Sequence, residues 1–267
     1  MKPGTRYTVI IALIVALGGF LMGFDAAVIA GAVGAIEVEF ALTKIQLGWS
    51  VSSLSLTATM GMLLSGPLSD RIGRRLVLKI AAVLFAISAA ASAVAPDFLT
   101  FVLARMIGGF GVGAALIIAP MYIAEMAPPQ LRGRMVSLAQ LNIVIGISAA
   151  FFSNYLILLL GQSDASWADV LRLDEWGWRW MLGIEALPAV VYFFALFAVP
   201  ESPRWLAMRG RDDEAVEVMS RVGGQEQAAK DLAAVRDAIE AEKKLGQAKL
   251  GALLHPTMRL VLTIGIT

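Results

Sequence analysis

Gly66-Pro67-Leu68-Ser69-Asp70-Arg71-Ile72-Gly73-Arg74-Arg75 joins two long apolar stretches, and what flanks it decides the fold. The stretch 45–68 precedes it and 76–95 follows, each long enough to cross a bilayer core of roughly 30 Å. Four more stretches of this kind, 9–36, 98–123, 135–160 and 180–199, bring the number to six. Hydrophobic residues make up 58% of the 267-residue chain and charged residues 16%. With a mean hydropathy of +0.74, this composition excludes an ordinary soluble domain. The expectation is an all-α membrane protein with six transmembrane helices.

Basic residues set the orientation. If the amino terminus faces the cytoplasm, eighteen Lys and Arg fall inside, including Lys2, Arg6, Arg71, Arg74, Arg75, Lys79, Arg132 and Arg134. Three, Lys44, Arg172 and Arg179, fall outside, and Arg105 lies within a span. Trp167, Trp176, Trp178 and Trp180 cluster at the outer end of the sixth span, where indoles favour the headgroup layer. The run after Lys2 and Arg6 resembles a secretory signal in its flanks. It is too long and is interrupted by Asp25, so it reads as a retained first helix.

Several function classes are excluded. A net charge of +1 makes the basic loops a mark of topology and not a nucleic-acid surface. The chain has no cysteine, which removes disulfides, thiolate metal sites and a thiol nucleophile together. Its one histidine, His255, sits in a polar segment and reads as a solvated loop residue. No nucleophile–base or metal-ligand constellation is present, so no cofactor, no metal and no enzymatic activity is expected.

Beyond the six spans, residues 201–250 form a polar segment with helix signals. Ser202-Pro203 reads as N-cap and first-turn proline, Asp212 as a second N-cap, and Gly223-Gly224 as a stop before a helix running to about Lys244. Ala215, Val218, Met219 and Val222, then Leu232, Val235 and Ile239, recur at helical spacing and give each piece an apolar face. The segment is either a cytoplasmic linker of amphipathic helices or a regulatory module. Residues 251–267 begin a further apolar helix from Leu260 that stops far short of the roughly 20 residues a crossing needs. A domain division of 1–200, 201–250 and an incomplete 251–267 follows, with the chain expected to be part of something longer.

Asp25 carries the strongest chemical signal. A carboxylate inside an apolar helix costs roughly 2.5–3.5 kcal/mol on insertion scales and so faces a protein interior or a water cavity, with a partner. Arg105 is the candidate partner. Counted from the outer helix ends at Glu37 and Asp97, the two lie about 18 and 12 Å deep, a gap an Arg side chain spans. The pair is either a fixed ion pair or a protonatable switch whose charge balance changes as helices move. In the fifth span Gln140 and Asn142 also need partners, and interhelical hydrogen bonding would suffice for both. Gly109-x-x-x-Gly113 in the fourth span permits close approach of a neighbouring backbone; no strand precedes it, so it is not a phosphate-cradling loop.

The loop 66–75 resembles the major facilitator superfamily, whose loop between helices 2 and 3 carries this G-x-L-x-D-R-x-G-R-R pattern. Three more segments narrow the resemblance to its sugar porter family: Arg105-Met106-Ile107-Gly108-Gly109-Phe110-Gly111-Val112-Gly113, Tyr122-Ile123-Ala124-Glu125-Met126-Ala127-Pro128-Pro129 with Arg132-Gly133, and Pro200-Glu201-Ser202-Pro203-Arg204-Trp205-Leu206. Gly23-Phe24-Asp25 and Trp178-Arg179-Trp180-Met181 complete a set that runs through the chain in order.

The resemblance implies the N-terminal six-helix bundle of a bacterial sugar/proton symporter, multi-pass in the plasma membrane of a bacterium with its N-terminus in the cytoplasm. It implies a hexose or pentose and protons as cargo, the lipid bilayer as surroundings, and a second six-helix bundle from a missing C-terminal half or another chain. Asp25 with Arg105 would couple protons, since facilitative relatives have a neutral residue where Asp25 stands. Gln140 matches a glutamine that hydrogen-bonds sugar hydroxyls, with Ile143 and Ile147 one and two turns further along the same face, and Met22 would join them in binding the substrate. Ile147 stands where some symporters have a second glutamine, and Met22 where an aromatic is frequent. Asp70, Arg71, Arg74, Arg75, Glu125, Arg132, Glu201 and Arg204 would form cytoplasmic gating salt bridges. Those of Arg71, Glu125 and Glu201 pair mainly across to the second bundle, so in this chain alone their charges should be solvent-screened. Two other readings stand beside transport: a membrane receptor that senses sugar without moving it, and a truncated non-transporting fragment.

Overall fold

The computed structural model of this chain describes residues 3–128, 130–163 and 166–245. Five of its helices are long and apolar enough to cross a membrane: α1 (Pro3–Glu39), α2 (Lys44–Ile72), α3 (Arg74–Ala93), α4 (Phe98–Met126) and α5 (Arg132–Gly161). Short α6 (Ser166–Val170) leads into α7 (Leu173–Gly183) and α8 (Ala186–Ala195), followed by α9 (Pro203–Met208), α10 (Asp212–Gly223) and α11 (Gln225–Leu245). The described residues contain no strand.

Local chemistry sets the helix ends. Thr43 and Gln46 form a reciprocal capping box that starts α2, and Asp97 accepts from the Thr100 amide at 2.9 Å to start α4. Between α2 and α3 the chain turns on Gly73 at a φ of +98°, a conformation that costs glycine little. Ser202 caps α9 with Pro203 in its first turn, and α10 stops at Gly223 with Gly224 at a φ of +88°, as the sequence predicts. Asp212 is the first helical residue of α10 and not its cap, which is Arg211.

The sixth crossing departs from expectation. Instead of one helix over 180–199, α7 and α8 meet at Ile184 and Glu185. Pro188 is the physical cause: lacking an N–H, it cannot donate to the Ile184 carbonyl, which accepts instead from Leu187 at 3.1 Å. The backbone stays in helical conformation at Ile184 and Glu185, so direction is kept while the ladder is broken.

Small residues bring the helices together. A Cβ added to Gly23 would stand 2.0 Å from the Ile143 carbonyl oxygen, and one added to Gly146 would stand 2.1 Å from that of Phe20, so α1 and α5 touch backbone to backbone. Gly113 meets the Ala58 carbonyl in the same way at 2.0 Å, and Gly109 the Leu54 carbonyl at 2.4 Å, joining α4 to α2. One apolar core fills the basic end of the bundle around Tyr122, Tyr192 and Phe85, and a second fills the opposite end around Phe101, Trp178 and Met181. Trp178 therefore does not sit at the lipid boundary: it is buried against Phe40 and Phe101 and donates to Glu39 Oε2 at 2.6 Å. Trp176 and Trp180 are exposed as expected, and the Trp167 side chain lies outside the described residues.

Ala215, Val218 and Met219 of α10 are buried, and Leu232 of α11 packs against the core at the basic end, so the polar segment is docked. The start of a seventh helix over 251–267, and His255 with it, lies outside the described residues.

Candidate functional site

Asp25 and Arg105 meet in the middle of the bundle. Arg105 Nη1 donates to Asp25 Oδ1, and each residue is only 3% exposed. Asp25 Oδ2 and Arg105 Nε are buried without a hydrogen-bond partner among the described residues.

A third ionisable group joins them. Glu185, at the break between α7 and α8, is 3% exposed, and its carboxyl interacts with both Asp25 and Arg105 while its Oε1 has no hydrogen-bond partner. Asp25 is thus not the lone carboxylate within the spans. Two carboxyls beside one guanidinium reach charge balance only when the cluster holds one proton. The signal was present in the sequence, because Glu185 lies inside the apolar stretch 180–199 and carries the same insertion cost as Asp25.

The fifth helix presents its polar residues differently. Gln140 is exposed on the open face of α5, whereas Asn142 turns back to donate to the Leu138 carbonyl at 2.9 Å. Ile143, Ile147 and Met22 are half-buried in the seam between α1 and α5, with Ile143 crossing directly over Gly19 and Gly23. Of Gln140, Ile143, Ile147 and Met22, Gln140 alone is exposed, and it alone carries a polar side chain. Further along the seam, Asn154 donates to the Val28 carbonyl at 3.0 Å and fills the space above Gly31.

At the basic end the loop 66–75 organises a charge network. Arg74, 3% exposed, lies 2.9 Å from Asp70 and 3.3 Å from Glu125, and it donates to the Ser69 carbonyl at 3.2 Å. Glu125 also accepts from the Ser202 hydroxyl and lies 3.9 Å from Arg204 Nε. Glu201 Oε1 accepts from the backbone amides of Arg74 (3.0 Å), Arg75 (3.2 Å) and Ser202 (2.9 Å). Glu201 is thus a long-range cap on the first turn of α3, satisfying two orphan amides where the helix dipole is positive. Gly73 has to be glycine here for a second reason, since a Cβ would stand 2.4 Å from Glu201 Oε2.

This arrangement corrects one expectation. Glu125 and Glu201 are not solvent-screened charges waiting for a distant bundle; they are bonded within the chain. Only Arg71 has an exposed side chain, although its carbonyl is held by Arg209. Arg132, the first residue of α5, is exposed beside the cavity that Arg74, Glu125 and Arg204 also line. Arg75 donates to the Leu196 and Phe197 carbonyls at 3.2 and 3.3 Å.

Comparison with known proteins places this geometry. The family model described as Sugar (and other) transporter matches residues 11–267. The chain is 39% identical to the arabinose-proton symporter of Bacillus subtilis (strain 168) over 97% of its own length and 54% of that protein. It is 37% identical to the D-xylose-proton symporter of Escherichia coli (strain K12), covering 91% of this chain and 53% of the other. Among solved structures, a proton:xylose symporter of the major facilitator superfamily bound to 6-bromo-6-deoxy-D-glucose superposes with a TM-score of 0.84 at 36% identity. That match covers 91% of this chain and 55% of the solved one. The chain spans about half the length of the relatives it matches.

Proposed function

Because the chain belongs to the Sugar (and other) transporter family, we propose that it forms the first six crossings of a twelve-helix carrier. That carrier moves a monosaccharide, a hexose or pentose, across a plasma membrane in company with protons. The observation that carries this reading is the buried cluster of Asp25, Arg105 and Glu185. It sits at mid-depth in a bundle that is open on the Gln140 side, where a second six-helix bundle, from the rest of the protein or another chain, would close over the sugar.

The mechanism follows from charge balance. With a proton on the cluster, the two carboxyls and the guanidinium are neutral together and α1, α4 and the α7–α8 break stay packed. Loss of that proton leaves excess negative charge in a low-dielectric core, which favours an arrangement that admits water. Gln140 offers a neutral donor and acceptor, which suits a polyol and not an ion. A receptor that only senses sugar has no use for such a cluster. The basic end, with Arg71, Arg74, Glu125, Arg132 and Arg204, would face the cytoplasm by the distribution of Lys and Arg, and 201–250 would form an intracellular helical domain there.

The test uses the complete protein in sealed vesicles. Asp25→Asn should still exchange labelled sugar but fail to accumulate it against a gradient when a pH difference is imposed. Concentrative, pH-driven uptake by this variant would refute proton coupling at Asp25.

A further inference from the structure

At the basic end of α3, two cations sit one turn apart on the outer side of the bundle. Arg75 spends two of its nitrogens on the Leu196 and Phe197 carbonyls, and the Lys79 ammonium lies 3.4 Å from the centre of the Phe197 ring. Among the described residues no carboxylate comes within ion-pair distance of either. The nearby acid, Glu201, has its Oε1 committed to three backbone amides. Arg211 and Arg221, further out, are ion-paired with Glu214 and Glu217 of α10, which line the same space.

These groups surround a cavity of ≈ 460 Å³ closed on one side by Trp205 and Leu206. Leu76 lines it on the α3 side, and Ile80 on the same helix, with Phe194 and Phe197 at the end of α8, are exposed apolar side chains. A bare soluble anion would gain nothing from that wall. An amphiphile with an anionic phosphate gains from both halves, with the phosphodiester on Arg75 and Lys79 and the acyl chains along the apolar residues.

We infer that this cavity is a binding site for the headgroup of an anionic glycerophospholipid, with Arg75 and Lys79 as the phosphate-contacting pair. The site is independent of sugar and proton chemistry, so it stands or falls apart from the transport reading. It would bind lipid in the bilayer leaflet at the basic end and brace α3 against the end of α8, because Arg75 and Lys79 already hold the Phe197 carbonyl and ring.

Native mass spectrometry of the full chain in mild detergent tests this, with added phosphatidylglycerol, phosphatidylcholine or inorganic phosphate at equal concentration. Phosphatidylglycerol should be retained in preference to phosphatidylcholine. Lys79→Gln should weaken its retention about fivefold, the contribution of one basic residue near a membrane surface. Lys79 makes no hydrogen bond or ion pair to the described residues and loses only its contact with the Phe197 ring, so the variant should fold like the parent with at most a small drop in melting temperature. Lys44→Gln, at the opposite end and paired with Glu37, should bind like the parent. Equal retention of the two lipids, an unchanged Lys79→Gln, or displacement of the lipid by equimolar phosphate would each overturn the proposal.

Discussion

Glu125→Gln in the 267-residue chain separates an internal network from a set of idle surface charges. Glu125 has a side chain only 10% exposed and faces Arg74, which is 3% exposed. Removing one partner of a fully buried ion pair costs about 3–5 kcal/mol, because the remaining charge is left uncompensated. Here the guanidinium keeps Asp70 at 2.9 Å and the Ser69 carbonyl at 3.2 Å, and the new amide still accepts from Ser202. Roughly half the cost should remain, or about 2 kcal/mol. Asp70→Asn is the internal comparison: the Asp70 side chain is 53% exposed, so its loss should cost under about 1 kcal/mol. The assay is denaturant unfolding of both variants in mild detergent, followed by helicity. If Glu125→Gln unfolds within about 0.5 kcal/mol of the parent, or costs less than Asp70→Asn, the charges are screened after all and the network carries no stability.

Other substitutions probe other parts of the argument. Gly113→Val places a branched side chain where a Cβ already comes 2.0 Å from the Ala58 carbonyl, so α4 and α2 must part. The variant should lose more than about 2 kcal/mol of stability, and a parent-like unfolding curve would show that the seam yields freely. Gln140→Ala in the complete carrier should weaken sugar binding by about 1–3 kcal/mol with little change in stability, since the side chain is exposed here; equilibrium binding to purified protein decides between a sugar contact and a bystander. Glu185→Gln should alter the pH profile of uptake while leaving sugar exchange intact, and an unchanged profile would reduce Glu185 to a packing role. Hydrogen bonds from the Thr100 amide and hydroxyl hold the Asp97 carboxyl below its ordinary value of 3.8, so its stabilisation is complete above that value and is lost as pH falls through the lower folded one. The stability gap between parent and Asp97→Ala should therefore close in acid, and a gap that stays constant with pH would contradict the capping role.

Sequence alone was enough for the class, the five long spans and the pairing of Asp25 with Arg105, because insertion cost and helical length are properties of a segment that need no neighbours. The glycine spacing in the fourth span likewise announced a close contact, since a missing Cβ has the same consequence wherever the helix packs. Tertiary structure alone decided which backbone each glycine meets, and that Pro188 breaks the sixth crossing where Glu185 turns inward. It also decided that Glu201 caps a helix more than a hundred residues earlier in the chain. Charge partners of that kind are set by the three-dimensional approach of helix ends, and a carboxylate in a polar loop has the same local sequence whether it faces water, a second bundle or the amides of its own fold. For that reason Glu125 and Glu201 read as free latch charges in one dimension and as bonded structural groups in three.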